Sequence, residues 1–170
     1  MTSILVPAAV AGLSVAQEER WLAAAIALAV ENVAAGGGPF GAVVVRAGAV
    51  LGTGQNRVTR DLDPTAHAEV VAIRAACRAT GAFALTGATL FSSCEPCPLC
   101  LTAALWSRVD RVVHAANRDD AARAGFDDRA FYDLLAQDRA TWPMPVVERR
   151  VPGSRAPMDA WLALGTRVEY

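Results

Sequence analysis

Three of the four cysteines stand within seven residues, as Cys94, Cys97 and Cys100, too close together to staple distant parts of a fold. Such crowding points to metal binding or catalysis. Upstream, His67-Ala68-Glu69 supplies an imidazole and a carboxylate. If His67 joins Cys97 and Cys100 around one ion, the fold must bring two segments that are distant in sequence to one place. Both segments read as helix starts. Asp61-Leu62-Asp63-Pro64-Thr65 is a turn-and-cap segment ahead of an apolar stripe at Val70, Ile73, Ala76 and Cys77. The cysteine cluster follows a strand over 88–92 and opens a helix over 99–107.

The rest of the chain alternates in the same way. Ser14 and Gln17 have capping-box spacing ahead of a helix over 15–35, with Leu22, Ile26, Ala29 and Val33 expected on its buried side. The runs 42–45 and 50–51 flank Ala47-Gly48 and read as a hairpin entering a buried sheet. Further strands are expected over 111–115 and 146–151, and further helices over 129–136 and 157–164. His114, inside a strand, and Cys77 are expected to pack in the core. The alternation gives an α/β class, a three-layer α/β/α sandwich on a mostly parallel sheet with one antiparallel pair at the hairpin.

At 170 residues the chain is long enough for a sizeable core in one domain. A net charge of −1 supplies no general field for a polyanion, so a nucleic-acid partner is not expected. The apolar opening Ile4 to Leu13 lacks a preceding positive residue and is broken by Pro7 and Gly12, which favours a cytoplasmic address. Trp21 to Val30, closed by Glu31 and Asn32, falls short of the roughly 18 residues of a membrane span.

A catalytic zinc site needs three protein ligands and one open position, and His67, Cys97 and Cys100 supply three. Cys97 and Cys100 share one face of a nascent helix whose free N–H groups favour thiolates. Two thiolates cancel the charge of Zn²⁺, so a bound water or hydroxide benefits from a nearby base, the role expected of Glu69. Cys94 is an alternative ligand, in place of Cys100 or as the fourth member of a closed site. Its other reading is a small residue packed at the end of a strand.

The paired H-x-E and P-C-x-x-C motifs match the signature of the zinc-dependent deaminases. More widely, the chain resembles the bacterial guanine deaminases of the cytidine deaminase-like superfamily from about Ala16 onward. The resemblance rests on Gly37-Gly38-Pro39-Phe40-Gly41-Ala42, Asn56, Asp63 to Glu69, Ser93 to Cys97, Gly125-Phe126-Asp127-Asp128 and Glu169-Tyr170. It implies a mixed five-stranded sheet between helical layers, one Zn²⁺ per subunit, a free nucleobase as substrate and a homodimer. In some members a C-terminal segment, here 146–170, is exchanged between subunits. Residues 1–16 then form an N-terminal extension and 17–170 a single domain.

The resemblance also implies that Phe40, Asn56, Trp106, Asp128 and Tyr170, together with His67 and Ala68, lie around the substrate. Each has a plainer reading: Phe40 or Trp106 as core, Asn56 as a turn residue, Asp127 and Asp128 as helix caps. Asp128 is expected to accept from guanine N1–H, repel the acceptor that adenine presents there, and assist departure of ammonia. The rival readings are a tRNA adenosine deaminase, a deaminase of cytosine or ammeline, and a zinc-stabilised dimeric binding module without activity.

Overall fold

The structure is a computed structural model that describes residues 13–169. The chain divides into two compact units, Met1–Arg129 and Ala130–Tyr170. Most of the expected N-terminal extension, residues 1–12, lies outside the described residues, and Val15 and Ala16 already belong to the first helix.

The first unit holds a four-stranded sheet in the order β2-β1-β3-β4, with β1 at Gly41–Arg46, β2 at Ala49–Gln55, β3 at Ala88–Cys94 and β4 at Arg111–Ala116. β1 pairs antiparallel with both β2 and β3, and only β3 and β4 pair in parallel. The sheet is therefore mixed rather than mostly parallel. The crossover from β2 to β3 does join two parallel strands, but β1 is inserted between them. Because β2 and β3 run the same way, the helices that follow each begin at one edge of the sheet, where ligands of α/β folds gather.

Strand periodicity sorts the core onto two faces. Ala42, Val44 and Leu90 face α3 (Ala68–Thr80) and α4 (Pro98–Trp106), in a cluster with Ala68, Ala72, Ile73, Ala76, Leu85 and Ala104. Val43, Val45 and Phe91 face the other way, onto Trp21 and Ala25 of α1 (Val15–Ala34). Helices on both faces give the expected three layers. The α1 capping box is present, with Ser14 N donating to Gln17 Oε1 at 2.9 Å and Gln17 N to Ser14 Oγ at 3.3 Å.

The buried stripe of α1 is Trp21, Ala25, Ala29 and Asn32, so only Ala29 of the expected set is buried. Leu22 is half-buried, and Ile26 and Val33 are exposed. The bulk of Trp21 over Val43, Val45 and Phe91 sets the rotation of the helix. On the opposite face, α3 lies against β2 along Ala68, Ala72 and Ala76. A Cβ at Gly54 would stand 2.0 Å from Ala68 O, and one at Gly52 would stand 2.5 Å from Ala76 N. These glycines let the backbone of α3 seat directly on the sheet.

One side chain expected in the core lies elsewhere: among the described residues β4 pairs with β3 alone, and His114 is exposed. Cys77, on α3, is half-buried and packs against the core cluster as expected. After β4 come α5 (Arg118–Arg123) and α6 (Arg129–Leu135). In the second unit, η1 covers Arg139–Thr141 and α7 covers Ala156–Ala163. Residues 146–151, expected as a fifth strand, form none. Their β-branched side chains are exposed, and an isolated strand has no ladder to satisfy its backbone. Among the described residues no helix is long and apolar enough to cross a membrane.

Candidate metal centre

His67 is the N-cap of α3 and Cys97 the N-cap of α4, with Cys100 one turn further on. The sequence places both caps well: Pro98 has a fixed φ suited to the first helical position, and Asp63 caps the turn before His67 by accepting from Thr65 N at 2.8 Å. His67 Nδ1 lies 3.5 Å from Cys97 Sγ and 3.5 Å from Cys100 Sγ, and the two sulfurs are 3.6 Å apart. One tetrahedral Zn²⁺ with ordinary Zn–S and Zn–N bonds sets sulfur–sulfur and sulfur–nitrogen separations of about 3.8 and about 3.6 Å. The three donors fit the ion as they stand.

Among the described residues this is the one cluster of three or more potential metal ligands, and Cys94 is not part of it. All four cysteines are free thiols. Cys94 is buried at the end of β3, and its Sγ donates to Asn117 O at 3.4 Å. Burial pushes that thiol up to about 11, so it is no ready thiolate. Among the described residues no fourth protein ligand joins this group.

Glu69 is 6% exposed, the one buried carboxylate among the described residues, and its partners explain why it stays. Ser92 Oγ donates to Oε1 at 3.1 Å, and the Cys100 thiol donates to Oε2 at 3.3 Å. Burial, the dominant effect, pushes its carboxyl above the usual range. The hydrogen bond between the Cys97 and Cys100 sulfurs, helped by the His67 imidazole, holds Cys97 down at about 4 against burial. The same bond, burial and the Glu69 charge drive Cys100 far up, while bonding to Cys97 raises His67.

Three loops are tied together around Phe40 and Asn56. Asn56 N donates to Phe40 O at 3.0 Å, which joins the end of β2 to the start of β1. Asn32, 8% exposed, donates from Nδ2 to Gly38 O at 2.8 Å and to Asn56 O at 2.7 Å, so it pins the glycine loop to Asn56. Asn56 Oδ1 accepts from Val58 N at 3.3 Å. Phe126 meets Phe40 edge to face, with centroids 5.0 Å apart. Asp128 is half-buried, and its field reaches both His67 and Cys97. Burial, reinforced by the Cys97 thiolate, raises its carboxyl. Asp127 instead is exposed and gripped by Arg129 at 2.8 Å, which lowers it to about 2.

Ala68 is fully buried at the first position of α3, where a helix N–H has no intrahelical acceptor. Trp106 is not drawn into this cluster: it ends α4 at 58% exposed, with the Arg108 guanidinium 5.8 Å from a ring centroid. Tyr170 lies outside the described residues. Ser92 and Asn32 carry the geometry without standing out in the sequence, apart from the buried polar positions of an otherwise apolar strand at Ser92 and Ser93, and Phe126 is marked only by the family resemblance.

Residues 15–116 match the cytidine and deoxycytidylate deaminase zinc-binding region. The chain is 46% identical to guanine deaminase of Bacillus subtilis over 153 residues, covering 89% of this chain and 98% of that protein. The crystal structure of that enzyme superimposes with a TM-score of 0.86. A tRNA-specific adenosine deaminase of the same organism is 38% identical over 77% of this chain and 79% of its own length. A guanine deaminase structure from Nitrosomonas europaea is 29% identical, with a TM-score of 0.62 over 72% of this chain and 77% of that one.

Proposed function

Because the chain belongs to the family of cytidine and deoxycytidylate deaminases that share this zinc-binding region, we propose that it hydrolyses free guanine to xanthine and ammonia. The observation that carries this reading is a buried carboxylate, Glu69, 3.3 Å from one sulfur of a three-donor metal centre. A structural zinc site has no use for such a group, which argues against a zinc-stabilised binding module.

His67, Cys97 and Cys100 hold the ion, which when bound supplies a Lewis acid that eases ionisation of water at neutral pH. Once Cys100 is a ligand thiolate, its S–H no longer occupies Glu69 Oε2. Ser92 keeps Oε1 engaged, so Oε2 is the atom that takes a proton from water and hands it to the ring nitrogen, then takes the proton of the hydroxyl added to the ring carbon and hands it to the leaving amine. A carboxyl raised by burial is matched to both giving and taking a proton near neutrality.

Phe40 offers a ring to stack on the base, braced by Phe126. Asn56 and the backbone of His67 and Ala68 meet polar groups of its edge, and Asp128 accepts from guanine N1–H, where adenine presents a lone pair that it repels. Trp106 and Tyr170 complete the substrate contacts in a homodimer. The exposed Val146, Val147, Val151, Met158 and Leu162 support burial of 146–170 against a second copy of the chain. Cys77 and Cys94, free thiols outside the metal set, favour a cytoplasmic address.

Deamination of adenosine in tRNA is less supported: the tRNA-specific relative is both less identical and less completely covered, and the net charge of −1 offers little to a polyanion. Quantifying ammonia from guanine, adenine, cytosine, guanosine, ammeline and tRNA separates these readings. Release from guanine alone is expected. Inosine formed in tRNA, or preferential turnover of cytosine or ammeline, would contradict the proposal.

A further inference from the structure

The loop that carries the metal ligand Cys97 is stitched to the start of α5 by a dense set of bonds. Glu95 N donates to Ala116 O at 2.9 Å, and Cys94 Sγ donates to Asn117 O. The Glu95 carboxylate receives three donors from one residue. Arg118 Nε donates to Oε1 at 3.0 Å, Arg118 Nη2 donates to the same oxygen, and Arg118 N donates to Oε2 at 3.1 Å. A planar guanidinium fork fixes orientation as well as distance, which a lysine cannot do.

From Arg118 the chain runs through α5 and reverses at Gly125, whose φ is +91°. Phe126 N donates to Ala121 O at 2.9 Å, and the Phe126 ring lands on Phe40. The segment 117–126 is therefore anchored at its start beside Cys97 and at its end beside Phe40. Asp128 follows two residues after the second anchor.

We infer that Arg118 is a positioning residue: by clamping Glu95 it holds the 117–128 segment so that the Asp128 carboxylate is presented beside the metal centre. The inference rests on Asp128 serving the guanine site described above. Electrostatics agree, because the Arg118 charge favours the ionised form of Asp128, whereas the Cys97 thiolate and Glu95 oppose it.

A double-mutant cycle on the zinc-loaded enzyme tests this, using kcat/KM for guanine in wild type, Arg118→Ala, Asp128→Ala and the double variant. Arg118→Ala is expected to lower kcat/KM about tenfold at unchanged zinc content, but less than about twofold further once Asp128 is alanine, the sign of strong coupling. Equal losses in both backgrounds would overturn the inference. Amide hydrogen exchange reads the clamp without any substrate: Arg118→Ala and Glu95→Gln should each speed exchange over 117–128 and leave β1 and β3 protected. Unchanged exchange would also overturn it. A wild type that ignores guanine would refute the substrate reading, while the exchange experiment would still decide the clamp.

Discussion

Gly54→Ala is a one-carbon change that should disable the site from behind the sheet. The added methyl would stand 2.0 Å from Ala68 O and 2.5 Å from Ala72 N, whereas ordinary contact begins at 3.4 Å. Both obstacles are backbone, so no side chain can swing away. The first turn of α3 must retreat by about 1.4 Å, and it carries His67 and Glu69. Overpacking of this kind costs about 1–3 kcal/mol, and the depth of the clash puts Gly54 at the upper end. For a chain of this size that lowers Tm by about 6–12 °C. A displacement near 1 Å at catalytic groups costs about 10²-fold in turnover. Calorimetry, zinc content and guanine kinetics would measure the three effects. Gly48→Ala is the control: it has open space but a φ of +79°, so it should cost about 1–3 kcal/mol of stability and leave turnover of the folded enzyme unchanged. If Gly54→Ala kept both Tm and turnover, α3 would not be seated on β2 as described.

Glu69→Gln should keep stoichiometric zinc and lose at least about 10²-fold in kcat, read by elemental analysis beside ammonia release. Retained turnover would require another proton carrier. Cys94→Ser should bind zinc like wild type, because its sulfur lies outside the donor triangle; loss of the metal would reinstate it as a ligand. Zinc binding should strengthen with pH. Cys97 is already a thiolate above about 4, but the raised Cys100 must lose a proton to bind, and so must His67 below its own raised value. Each proton displaced makes apparent affinity rise about tenfold per pH unit, so chelator competition between pH 6 and 8 should show a slope of one to two protons. A flat profile would mean the ligands are already deprotonated.

The chemistry was legible because it is local. His67-Ala68-Glu69 and Pro96-Cys97-Pro98-Leu99-Cys100 each sit on a cap and a first turn, where nearby residues decide both structure and reactivity. Their convergence was legible only through the family resemblance, since nothing local announces that β1 will insert between β2 and β3. Large side chains misled in α1: Ile26 and Val33 look like core, yet Trp21 fixes the rotation and leaves them outside. Small residues show the converse. Ala76 stands on the expected stripe, but the seat it makes with Ala68 and Ala72 against Gly52 and Gly54 carries little hydrophobic signal.

Residues 146–151 have the side chains of a strand, but a strand is a property of a pair, and one chain supplies no partner. Long-range polar bonds such as Asn32 to Asn56, Ser92 to Glu69 and Arg118 to Glu95 leave no pattern in sequence at all. They become visible only when the fold has brought their ends together.

X-ray absorption at the zinc edge of the purified, zinc-loaded protein tests the centre most directly. The expected spectrum has two sulfur scatterers near 2.3 Å and one imidazole nitrogen near 2.0–2.1 Å, with one further light atom that a competitive purine ligand can perturb. A third sulfur, or a saturated shell indifferent to such a ligand, would contradict an open hydrolytic site.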